Sequence, residues 1–210
     1  MFESPNLEQM GRTRAKQPFF LNVSQLAHFC VAAVLQPGEA AIDATVGNGY
    51  DTVFLARQVG DKGRVFGFEL QVEALEKARK RLRMAGLDTC VTLFLKGHEH
   101  MATTLATVWH GRIGAVMFNL GYLPGGNDRG CITRPETTLQ ALNAALQLLR
   151  PGGLISVVAY PGHPGGAEEA ERVRVWAAAL EATQYAASTY RCCNCRRPPP
   201  ELTLVWKRPR

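Results

Sequence analysis

The chain has no run of about 18 uncharged apolar residues, so no segment reads as a membrane-spanning helix. Its opening stretch, Met1–Lys16, carries acids and proline but no apolar core of a leader peptide, and the expected compartment is therefore cytoplasmic. Six cysteines are present, yet Cys30, Cys90 and Cys131 stand singly, and reduced thiols are expected. Cys192, Cys193 and Cys195 crowd together without a second distant pair, so no metal site is expected. Repeats, linkers and low-complexity segments are also missing. What remains is an ordinary globular composition, 46% hydrophobic and 20% charged over 210 residues, long enough for one domain with a substantial core. A net charge of +6 and a pI near 9.2 favour a polyanionic partner.

Short apolar runs alternate with segments of helical periodicity. Strands are expected at Ala40–Thr45, Arg64–Glu69, Val91–Leu95, Ile113–Phe118 and Leu154–Tyr160, with a closing hairpin from Ala187–Arg191 and Leu202–Trp206. Helices are expected at Asn22–Leu35, Asp51–Val59, Val72–Ala85, Glu99–Trp109, Thr138–Leu149 and Ala167–Ala182. The strands are near-continuous apolar runs, which is what burial on both faces demands. Strand–helix alternation implies right-handed crossovers. The expected fold is one doubly wound α/β domain with a seven-stranded, mostly parallel sheet, preceded by an extension over residues 1–21.

Ligands of such sheets sit at the carboxyl ends of the strands. There, Asp43–Asp51 reads Asp-Ala-Thr-Val-Gly-Asn-Gly-Tyr-Asp, a turn whose glycines let backbone approach a ligand. Glu69 closes the next strand, twenty residues after Gly49, where a carboxylate accepts from both hydroxyls of a ribose. The dinucleotide fingerprint would need a third glycine where Thr52 stands, and Asp43 and Asp51 place negative charge where a diphosphate would lie. A cationic nucleoside suits these acids better, and S-adenosylmethionine is one. The expected cofactor contacts are Asp43, Thr45, Gly47, Asn48, Gly49, Asp51, Thr52, Glu69, Gln71, Gly97, His98, Glu99, Asn119 and Gly121.

The fourth strand empties into Asn119-Leu-Gly-Tyr-Leu-Pro-Gly-Gly126. An amide oxygen and backbone carbonyls there can take the hydrogens of an amine and aim its lone pair, while Tyr122 can stack on a base. Asn119, Tyr122 and His163 are the candidate catalytic residues; Leu120, Tyr122, Pro124, Gly125, His163, Arg196 and Arg197 are the candidate acceptor contacts. His163 lies in the Tyr160–Gly166 loop after the fifth strand. No role is expected for His28, His100 or His110.

These four segments (Asp43–Thr52, Phe68–Gln71, Asn119–Gly126 and Tyr160–Gly166) together resemble one family of class I methyltransferases, long labelled putative rRNA methylases. Its better-defined members are tRNA methyltransferases that convert wobble 5-aminomethyl-2-thiouridine to its methylaminomethyl form. The resemblance spans about Val23 to Lys207. It implies a Rossmann-like domain over residues 22–210, S-adenosylmethionine as donor and a tRNA anticodon stem-loop as partner. By position it sets Asp43, Gly47, Asn48, Gly49 and Asp51 on the methionine side, and Glu69 and Gln71 at the ribose and adenine. Tyr50 stands where the family commonly has His, and Lys96-Gly97 where it tends to have Asp-Ser.

The basic run Lys77, Arg79, Lys80, Arg81 and Arg83 is expected to be a solvated helix face. Arg191, Arg196 and Arg197 are placed at the catalytic mouth, within reach of phosphates, as are Arg12, Arg14 and Lys16. A homodimer sharing the tRNA is compatible with so compact a body. Methylation of rRNA or a small amine, and a non-catalytic RNA-binding module, are the alternatives.

Overall fold

The computed structural model describes residues 22–121, 133–195 and 197–209. Along the chain run α1 (Val23–Val34), β1 (Ala40–Asp43), α2 (Tyr50–Val59), β2 (Arg64–Glu69), α3 (Val72–Ala85), β3 (Val91–Leu95), α4 (Met101–Thr104), β4 (Ile113–Asn119), α5 (Pro135–Leu148), β5 (Leu149–Ala159), α6 (Gly166–Ala178), β6 (Tyr185–Arg191) and β7 (Glu201–Lys207). The sheet order is β3-β2-β1-β4-β5-β7-β6. The first five strands are parallel, and β7 inserts antiparallel between β5 and β6. This is the expected mostly parallel, doubly wound sheet with its closing hairpin.

Alternate residues of each central strand feed two cores. Ile42, Phe66, Phe68, Val116, Phe118, Ile155 and Val157 pack with α5 and α6 on one face. Ala41, Val65, Ala115, Met117 and Val158 pack with α1 and α2 on the other. Because both faces are covered, the strands show no polar alternation. Among the described residues, no helix is long and apolar enough to cross a membrane.

Three expected helices differ. Glu99–Trp109 is not one helix: 3-10 turns at His98–His100 and Thr107–Trp109 flank the single turn of α4. The apolar spacing is satisfied, since Met101 and Leu105 are buried. However, Thr103 turns its hydroxyl back to the His100 carbonyl (3.0 Å), and β-branched Thr103, Thr104, Thr107 and Val108 propagate a helix poorly. The helix expected at Thr138 begins a turn earlier, because Pro135 sits at its first position, where a missing N–H costs nothing. Strand β5 likewise starts at Leu149, running through Pro151-Gly152-Gly153 with a register shift against β4. The last helix ends at Ala178 rather than Ala182.

The strand order reverses between β1 and β4, where chain leaves the sheet in opposite directions and opens a crevice at the carboxyl ends. Asp43 pairs with Met117 and with Gly67, and Asn119 with Val158. Thus the ends of β1, β2, β4 and β5 converge on one place.

Candidate active site

A cleft of about 1090 Å³ occupies that crevice. Its walls are the turn after β1, the ends of β2 and β3, the end of β4, the start of α5, the loop after β5 and the prolines Pro198 and Pro200.

The turn after β1 is built on Asp43. This side chain is buried, and one carboxylate oxygen accepts from the Thr45 N–H (3.1 Å) while the other accepts from the Thr52 hydroxyl (2.5 Å). Asp43 and Thr52 therefore lie beneath the turn rather than on the cleft wall, and act on it through the loop they hold. Burial and the neighbouring Asp51 carboxylate push Asp43 up to about 7, against the Thr52 hydrogen bond that pulls it down. Gly49 sits at φ 80°, and a Cβ there would stand 2.9 Å from the Ala78 Cβ and 3.0 Å from its Cα. Gly49→Ala is expected to cost about 1–3 kcal/mol from backbone strain and the displaced α3. A urea midpoint unchanged from the parent chain would refute this.

Glu69 carries the far side of the turn. Its Oε2 accepts from the Gly47 N–H (2.7 Å), and its Oε1 from the N–H groups of Leu70 and Gln71 (both 2.9 Å). The carboxylate is thus locked in orientation at the cleft edge with lone pairs left for a diol. Gly47, Asn48, Tyr50 and Asp51 line the cleft beside it.

Asp51 connects three elements. Its Oδ1 is 2.7 Å from His28 Nε2 on α1, and its Oδ2 accepts from the Asn119 amide nitrogen at 3.4 Å. The His28 ring stacks flat on Phe54, with centroids 3.9 Å apart. The Asn119 N–H in turn donates to the Thr45 hydroxyl (2.7 Å), tying β4 to the β1 turn. His28, expected to be idle, is a structural partner of the site. Arg81 is a second correction: it does not sit on a freely solvated face. It donates to the Asn48 carbonyl (2.8 Å) and covers the Tyr50 ring, 3.8 Å from its centroid.

His98 is buried edge-on to Phe118, and burial pulls it below the usual histidine range, so the ring is neutral near pH 7. Gly97 makes room for Glu99: a Cβ there would stand 2.3 Å from its Oε2. Lys96, Gly97, His98 and Glu99 all line the cleft, as does Gln71.

The opposite wall holds Gly121, Thr133, Arg134, Thr137, Tyr160 and His163. Gly121 and Thr133 are bonded to each other twice, Gly121 N–H to the Thr133 hydroxyl (2.9 Å) and Thr133 N–H to the Gly121 carbonyl (3.1 Å). Glu169, buried at the start of α6, accepts from the hydroxyls of Thr133 and Thr138, each at 2.7 Å. Leu120 lines the cleft, but its side chain is in the core. Tyr122, Pro124, Gly125 and Arg196 lie outside the described residues. Arg197 lines a neighbouring cavity rather than this one. Sequence reasoning missed Thr133, Arg134, Thr137 and Pro198; only the topology brings them to the mouth.

A parallel sheet with β7 reversed, a glycine turn after β1 and an acid at the end of β2 define a class I methyltransferase dependent on S-adenosylmethionine. Residues 65–206 match the family described as "Putative rRNA methylase", and the chain belongs to that family. Residues 19–104 also match the family of protein-L-isoaspartate(D-aspartate) O-methyltransferases. The chain is 39% identical over 193 residues to the chloroplastic tRNA (mnm(5)s(2)U34)-methyltransferase of Arabidopsis thaliana, covering 88% of this chain and 69% of that one. Among solved structures it resembles a "putative rRNA-methylase" from Clostridium thermocellum (39% identity, TM-score 0.85, 90% of this chain and 98% of the other). It also resembles a Streptococcus mutans methyltransferase in complex with SAH (33%, TM-score 0.79, 90% and 99%). S-adenosylmethionine is the cofactor, and the cleft suits it: Asp51, Glu69 and Glu99 line it with carboxylates that favour a cation bearing a ribose diol.

Proposed function

We propose that this chain methylates the primary amine of wobble 5-aminomethyl-2-thiouridine in the anticodon stem-loop of tRNA. The observation that carries this reading is the 39% identity over 88% of the chain to a relative named for that nucleoside. The placement of Asn119 supports it: the residue ends β4 on the cleft wall, its backbone held by Thr45 and its amide turned to Asp51.

When bound, S-adenosylmethionine supplies an electrophilic methyl group on a positively charged sulfur. Glu69 is assigned to its ribose, Gln71, Gly97, His98 and Glu99 to its adenine side, and Gly47, Asn48 and Asp51 to its methionine side. Asp43, Thr45, Thr52 and Gly49 hold that turn in shape. At the acceptor, the Asn119 side-chain oxygen and the Leu120 carbonyl take the amine hydrogens and point its lone pair at the donor. Positioning of this kind supplies most of the rate in a transfer that needs no covalent help. Tyr122 and His163 are assigned to the acceptor base, with Pro124 and Gly125 shaping its loop. Arg134 and Arg197, together with Arg196, are assigned to RNA phosphates. A second reading, methylation of rRNA, is favoured by the description of the matched family.

The deciding experiment is nucleoside mass spectrometry after incubation with S-adenosylmethionine and tRNA carrying unmethylated 5-aminomethyl-2-thiouridine. One methyl gained on that nucleoside is expected, with turnover falling about 100-fold or more in Asn119→Ala while donor binding persists. A methyl appearing on rRNA and not on this tRNA would decide for the second reading.

A further inference from the structure

The turn between β6 and β7 carries chemistry that methyl transfer does not use. Cys192, Cys193 and Cys195 are all free and exposed there. The Cys192 sulfur lies 3.4 Å from Asn194 Oδ1, and the neighbouring Cys195 thiol draws Cys192 below the usual thiol range while Cys195 is pushed above it. The Cys193 sulfur lies 3.7 Å from the Arg191 carbonyl. Among the described residues, no group of three or more His, Cys, Asp or Glu is arranged to hold a metal ion. The three thiols line a cavity of about 480 Å³ with Arg174, Arg191 and Arg197. Glu201 pairs with Arg174 and lies 3.7 Å from Arg191. Arg197 makes no ion pair among the described residues, so a cation remains beside the dithiol for an anionic visitor.

We propose that Cys192 and Cys195 form a thiol–disulfide exchange site for a small anionic disulfide of the glutathione type. The Cys192 thiolate attacks one sulfur of that disulfide, forming a mixed disulfide and expelling a thiolate. The Cys195 thiol passes its proton to the expelled thiolate and attacks the Cys192 sulfur, expelling the second small thiolate, which takes up the proton that Cys192 had lost to solvent. The chain loses two electrons and two protons, and the small disulfide becomes two thiols. A Cys-x-x-Cys spacing closes such a ring readily, and a bond of this kind in a reducing compartment is transient.

The site borders the acceptor wall. Pro198 lines both this cavity and the main cleft, and its carbonyl would be 3.8 Å from a Cβ on Gly162, next to His163. Closing the ring three residues before Pro198 therefore shifts that wall and leaves the β1 turn and Glu69 untouched. This consequence rests on the acceptor assignment above; the exchange chemistry does not.

The test incubates the full chain with graded ratios of glutathione disulfide to glutathione, followed by alkylation and peptide mass spectrometry. A Cys192–Cys195 cross-link is expected, retained in Cys193→Ser and lost in Cys192→Ser, with a glutathione adduct trapped on Cys192 in Cys195→Ser. Full alkylation of both thiols at every ratio, or a cross-link through Cys193, would overturn the site. In the oxidised chain, S-adenosylmethionine affinity should be unchanged and RNA turnover should fall several-fold, recovering on reduction. Equal turnover of the oxidised and reduced chain overturns the link to the acceptor wall. A reduced chain that methylates no RNA argues against the proposed acceptor and leaves the cross-linking result standing.

Discussion

Glu69→Ala is expected to weaken S-adenosylmethionine binding by about 100- to 1000-fold, measured by titration calorimetry. Each charge-assisted hydrogen bond to a ribose hydroxyl is worth about 1.5–3 kcal/mol, and two of them come to about 3–4 kcal/mol after partial solvent compensation. The substitution also strips acceptors from the N–H groups of Gly47, Leu70 and Gln71, so the turn loses its order. Glu69→Gln separates these effects. Its amide oxygen can still face Leu70 and Gln71, but its NH2 then meets the Gly47 N–H donor to donor. An intermediate affinity is expected, with a normal unfolding transition in both variants. Affinity within about twofold of the parent for Glu69→Ala would remove Glu69 from the donor site, since even one lost charged hydrogen bond exceeds that.

How far the sequence foretold this arrangement depends on where each signal lies. Strands β1 and β4 were legible because burial on both faces leaves runs such as Ala40–Ile42 and Ile113–Phe118 with no polar residue to confuse the reading. Helix α4 was drawn too long, because apolar spacing cannot register a threonine hydroxyl turning back to a carbonyl. His28 was passed over for another reason: its partner Asp51 is 23 residues away on a different helix, and nothing near His28 signals it. Arg81 was lumped with its basic neighbours, although it stands three residues after buried Ala78, on the flank of α3 that faces the glycine turn. Glu169 on α6 joins buried Thr138 on α5 and part-buried Thr133 just before it, a cluster that only tertiary packing assembles.

Asp43→Asn is expected to reverse the ranking of stability and ligand affinity. The folded carboxyl titrates at about 7, raised by burial and by Asp51. In the unfolded chain an aspartate titrates near about 3.9. Below about pH 4 both states hold the proton, and the stabilising effect of the neutral form is fully present. Between about pH 4 and about pH 7 folding takes up a proton, so the ligand-free protein loses on the order of 1 kcal/mol per pH unit from this group as pH rises. Asparagine mimics the protonated side chain, with an oxygen for the Thr45 N–H and an NH2 for the Thr52 hydroxyl. Its urea midpoint should match the parent below about pH 4, where both hold a neutral side chain, and exceed it increasingly from about pH 5 to about pH 8. Binding runs the other way. A cationic donor favours the ionised carboxylate, so the parent should bind S-adenosylmethionine more tightly as pH rises through 7, whereas Asp43→Asn binds weakly throughout. Stability is thereby traded for a charge held in readiness beneath the turn. Parallel midpoint curves for the two proteins from about pH 5 to about pH 8 would place the titration elsewhere and undo the argument.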